Sequence, residues 1–62
     1  MKVGEVLKLL KKDGWVLARQ RGSHRHFRHE TKPGTVTVPG KPSDELHPKT
    51  EASILRQAQL HR

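Results

Sequence analysis

Val3, Val6, Leu7 and Leu10 recur at spacings of three and four, with Lys8, Lys11 and Lys12 on intervening positions. This period predicts an amphipathic helix from about Gly4 to Lys12. Lysines in its last turn complement the helix dipole, and Gly14 after Asp13 suits a left-handed C-terminal cap. From Trp15 to Gln20 the residues favour a strand, with Trp15 and Leu17 on one face and Val16 and Ala18 on the other. Arg21-Gly22-Ser23 makes a turn, and His24 to His29 returns as a second strand anchored by Phe27. If Phe27 faces the core, alternation sends Arg25 and His29 inward at the strand's ends and His24, His26 and Arg28 outward together. Thr31-Lys32-Pro33-Gly34 is a turn by composition, and Thr35 to Val38 alternates cleanly before Pro39-Gly40 ends it.

Lys41 to Lys49 is expected to be an irregular connection, with Leu46 tucked inward. Thr50 is suited to cap a last helix whose stripe includes Ala52, Ile54, Leu55, Ala58 and Leu60, with Arg56 and Arg62 in its later turns. The order is α-β-β-β-α, an α+β fold in which two helices cover one face of a three-stranded antiparallel sheet and the other face stays wet. The expected core is Leu7, Leu10, Trp15, Leu17, Phe27, Val36, Val38, Ile54, Leu55 and Leu60.

At 62 residues this core must be small, and without cysteine neither a disulfide nor a thiolate metal site can reinforce it. No stretch approaches a membrane span or the apolar core of a signal peptide, so a soluble, cytoplasmic protein is expected. Thirteen Lys and Arg against six Asp and Glu leave a formal charge of +7. That excess favours a polyanionic partner, most commonly nucleic acid.

The candidate chemistry gathers around Gly22-Ser23-His24-Arg25-His26-Phe27. Imidazole titrates near neutrality, with a reference pKa of about 6.5, so His24 is a candidate proton carrier. Arg19, Arg21, Arg25 and Arg28, with Lys41 nearby, form a basic patch, and the guanidinium fork matches phosphate. Ser23 and His24 are adjacent on the chain and point apart on a strand, so Ser23 is better placed to bond in the turn than to act as a nucleophile. His24-x-His26, with His29 near, raises a zinc site, but the arginines would repel a dication and His47 and His61 are remote. No metal and no small-molecule cofactor are expected.

Gly14-Trp15, Arg19-Gln20-Arg21-Gly22-Ser23-His24, Phe27-Arg28-His29, Thr35 to Val38, Gly40-Lys41-Pro42-Ser43-Asp44-Glu45-Leu46 and Ser53 to Ala58 together resemble the HicA family of toxins. The resemblance runs nearly end to end, so residues 1–62 are expected to be a single toxin domain of this kind. It implies a double-stranded-RNA-binding-domain-like fold, an endoribonuclease acting as an mRNA interferase, and a HicB-type antitoxin that covers the active site. In the Gly-Ser-His triplet it assigns the catalytic histidine to His24. Arg19, Arg21, Ser23, Arg25, His26, Arg28 and Lys41 are then the candidate RNA-binding residues. The chain departs from the family pattern at Glu30, at Lys49 and at Gln59, where relatives commonly have Pro, Gly and Gly. With Gln59 in place of Gly, the last helix is expected to continue a little past Ala58. A non-catalytic RNA-binding module of the same fold is the alternative.

Overall fold

In the computed structural model, which describes residues 1–60, the elements are α1 (Val3–Lys12), β1 (Val16–Arg21), β2 (His24–Arg28), β3 (Thr35–Val38) and α2 (Pro48–Gln57). The strands form one antiparallel sheet in the order β1-β2-β3. The expected α-β-β-β-α order and fold class are those observed. Arg62, expected in the last helix, and His61 lie outside the described residues.

Both helices end in the same device. In α1 the Gly14 N–H donates to the Lys11 carbonyl at 3.1 Å and the Trp15 N–H to the Leu10 carbonyl at 2.9 Å. In α2 the Gln59 N–H donates to the Arg56 carbonyl at 3.0 Å and the Leu60 N–H to the Leu55 carbonyl at 2.8 Å. These paired bonds are Schellman motifs, which need a left-handed residue. Gly14 supplies it at φ 98°. Gln59 takes φ 56° despite its side chain, at a cost of about 1–2 kcal/mol. The motif therefore stops α2 at Gln57, with Ala58 as the cap, and the helix does not continue past Ala58 as expected.

The start of α2 also differs from expectation. Pro48 occupies its first turn, where a fixed φ and a missing N–H cost nothing, and the His47 ring nitrogen Nδ1 accepts the Lys49 N–H at 3.1 Å. His47 is thus the cap in place of Thr50, and the irregular connection ends before Pro48. The start of α1 lies close by, Met1 pairing with Glu51 at 3.0 Å, and there the Lys2 N–H donates to the Glu5 carboxylate at 2.8 Å.

Val3, Val6, Leu10, Trp15, Phe27, Val36, Val38, Leu46, Ile54 and Ala58 form the buried cluster, with Met1, Leu7 and Leu60 packed partly buried against it. Leu55 is buried as expected. Leu17 is the main correction: it was expected inside and is 47% exposed. Trp15 is buried not as a strand residue but as the one that closes the α1 cap, before β1 begins.

A cluster of polar contacts ties both helix C-termini to the β2–β3 loop. The Lys32 ammonium donates to the Asp13 carboxylate and to the Ala58 carbonyl, the latter at 3.1 Å. The Trp15 indole N–H donates to the same carboxylate at 3.2 Å. Hydrogen bonding from Lys32 holds the Asp13 carboxyl below its ordinary range, against a smaller opposing effect of burial.

Two outcomes follow from this packing. Phe27→Ala should cost about 3–5 kcal/mol, most of the stability of so small a domain, whereas Leu17→Ala should cost less than about 1 kcal/mol; urea unfolding of both variants checks the contrast. A depressed carboxylate stabilises the fold above its unfolded pKa, near 3.9, and that contribution is lost as pH falls through the folded value. The melting temperature should therefore fall on acidification below about pH 4, and Lys32→Met should lower it at pH 6 while flattening that fall.

Candidate functional site

The hairpin between β1 and β2 is the local structure on which the site depends. Its loop is Gly22-Ser23, with Gly22 at φ 59° and no positive φ at Ser23, the pattern of a type II′ turn whose twist matches the strands. His24 is therefore the first residue of β2, paired with Arg21.

A bulge then decides which side chains share a face. Leu17 pairs with Phe27 but Arg19 pairs with His26, so Ala18 is an extra residue in β1. Without it, Arg19 and Arg21 would follow Leu17 onto the helix-covered face. With it, directly paired residues stack the open face in three rungs: Arg21 with His24, Arg19 with His26 and Thr37, and Val16 with Arg28 and Thr35. The His26 ring Nδ1 is 2.9 Å from the Thr37 hydroxyl, which fixes the middle rung. Ala18, Arg19, His26, Arg28 and Thr35 line one shallow depression.

Beside it, His24 lies at the margin of a second hollow of about 380 Å³ between β3 and α2. Its walls are Thr37 and Pro39 from the sheet side, and Lys49, Thr50, Ser53 and Gln57 from α2, with Ile54 below. The Gln57 amide N–H donates to the Ser53 hydroxyl at 3.1 Å. Residues bearing two hydroxyls, an amide and an ammonium thus line the same groove as His24. Sequence reasoning missed these α2 residues. Their signal was present as the polar positions 49, 50, 53 and 57, one helical face, but nothing local says which face meets His24.

The remaining candidates separate. Arg25 projects to the opposite face, as alternation about Phe27 requires, and its guanidinium donates to the Gly40 carbonyl at 2.9 Å. Ser23 is half-buried in the turn, its carbonyl 3.5 Å from the same guanidinium. Lys41 is exposed on the loop after β3, where its backbone N–H meets the Asp44 carboxylate at 2.9 Å, and it lines neither hollow.

His29 leaves the site altogether. Its Nε2 is 2.6 Å from the Asp13 carbonyl, and its Nδ1 accepts the N–H groups of Thr31 and Lys32 at 3.0 and 3.1 Å. These partners assign the Nε2–H tautomer. The ring meets Trp15 edge-on, with centroids 5.1 Å apart. It also explains Gly14, where a Cβ would lie 2.9 Å from Nε2. Among the described residues, no three His, Asp or Glu side chains come together as a metal site.

The family model described as the HicA toxin of bacterial toxin–antitoxin systems matches residues 3–60. No significant match is found among curated proteins.

The two histidines should respond differently to truncation. His29→Ala should destabilise by roughly 1–3 kcal/mol, because it strands two N–H groups and a carbonyl, whereas His24→Ala should melt like the parent. Thermal unfolding of both variants checks this.

Proposed function

The chain belongs to the HicA toxin family of bacterial toxin–antitoxin systems, and from that premise we propose that it is a metal-independent endoribonuclease that cleaves mRNA, with His24 as its general acid or base. The observation that carries the proposal is the position of His24. It is exposed where a cationic open sheet face meets a groove lined by polar α2 side chains. Cleavage of this kind begins when the ribose 2′-oxygen attacks the adjacent phosphorus and gives up its proton to a base. The O2′–P bond forms, the P–O5′ bond breaks, and an acid protonates the leaving 5′-oxygen. His24 supplies one of these proton transfers, worth about 10²–10⁴-fold.

His26 shares the face, with its Nδ1 2.9 Å from the Thr37 hydroxyl, and is the nearest second group. Arg19, Arg21 and Arg28 on the open face, and Lys49 across the groove, are placed to offset charge on the phosphorane. Arg25, engaged by Gly40 on the other face, has a structural task instead. The partner is a HicB-type antitoxin. No helix among the described residues is long and apolar enough to cross a membrane.

Incubating the purified chain with a single-stranded transcript should produce 2′,3′-cyclic phosphate and 5′-hydroxyl ends in the presence of EDTA. His24→Ala should lower the rate at least 100-fold while leaving the melting temperature unchanged. A transcript that is bound but not cut would favour a non-catalytic RNA-binding module. Activity lost to EDTA and restored by a divalent ion would assign the histidines to a metal.

A further inference from the structure

On the face opposite His24, the boundary between α1 and β1 is left unfilled. A hollow of about 420 Å³ opens there, walled by Leu7, Trp15, Leu17 and Phe27, with Lys11 and Arg25 as the two charged residues of its lining. That volume lies in the range of sites that take a ligand or an inserted side chain. Leu17 and Val16 beside it are 47% and 66% exposed, the large apolar residues the fold leaves in water.

The same strand carries a second vacancy, in its backbone. Among the described residues β1 pairs only with β2, so the outer row of its N–H and C=O groups has no strand partner there. At the other edge of the sheet, α2 packs beside β3. An open edge next to an apolar hollow is the arrangement that accepts an added strand: main-chain bonds give affinity, and a side chain in the hollow gives specificity.

Charge selects the occupant. Pairing β1 with a second copy of itself would bring Arg19 and Arg21 of two chains, each at +7, against one another. RNA has no strand-forming backbone and no aliphatic group to fill the hollow. An acidic segment satisfies the edge, the arginines and Lys11 together.

We propose that β1 and the Leu7–Leu17 hollow dock an extended, acidic segment of the antitoxin, which adds a strand to the sheet and inserts an apolar side chain beside Trp15. This rests on the family's toxin–antitoxin pairing and not on the cleavage chemistry. A strand added at β1 also lies against Arg19 and Arg21, so the same partner can reach over the open face from its edge.

Amide hydrogen exchange on the ¹⁵N-labelled chain, with and without its purified cognate antitoxin, tests the proposal directly. The β1 amides that do not bond to β2 should slow at least tenfold in the complex, and Leu17→Glu should weaken association at least tenfold. Protection confined to the His24 face, with Leu17→Glu binding like the parent, overturns the proposal. Protection of β1 in the chain alone, with a doubled mass, assigns the edge to a second copy and overturns it equally. The exchange measurement uses the unaltered chain, so it decides the matter even if Leu17→Glu fails to fold. A chain that binds through β1 but cuts no RNA leaves this proposal standing and removes the nuclease reading.

Discussion

Two helix C-termini meet at one pole of this small fold, and the Lys32 ammonium is what makes that meeting favourable. The ends of aligned peptide dipoles carry partial negative charge and leave carbonyls without intrahelical partners. Lys32 answers the α2 end through the Ala58 carbonyl and the α1 end through Asp13, while His29 bonds the Asp13 carbonyl itself. Trp15 closes the set from the core side, donating to Asp13 and taking the edge of His29. A core of few large side chains is thereby supplemented by a polar cluster that spans both helices and the β2–β3 loop.

That arrangement separates the side chains that hold the fold from those left exposed. His24 and His29 begin and follow the same short strand, yet every ring nitrogen of His29 is engaged whereas His24 faces a solvent-open groove. Arg25 and Arg28 divide in the same way, one bonded to Gly40 and the other on the open face. Period-two alternation is the cause, with Phe27 as its reference point. The residue types on this strand are nearly interchangeable in composition, and their tasks follow from which side of the sheet each one reaches.

The sheet's two edges are also unequal. β3 has α2 beside it, which creates the groove that His24 shares with Lys49, Thr50, Ser53 and Gln57. β1 has a bulge, two arginines and an apolar hollow, and among the described residues no strand pairs with its outer edge. Arginines on an open edge discourage pairing with like chains, and the same charge attracts an acidic one.

The local pattern was enough for the element order. Spacings of three and four marked both helices, Gly14 marked the end of the first, and Gly22-Ser23 placed His24 at the head of β2, because each signal acts between residues a few positions apart. Those same motifs carried the resemblance to the HicA family, which the match over residues 3–60 bears out. Three features were decided only by the folded chain. Ala18 became a bulge, and a one-residue slip moves every later side chain in β1 to the other face, which put Arg19 and Arg21 beside the histidines. Lys32 and His29 found partners 16 to 27 residues away, contacts that no local period encodes. The polar face of α2 met His24 because β3 is an edge strand and the helix packs beside it, a consequence of how the layers stack rather than of any property of residues 48–57 alone.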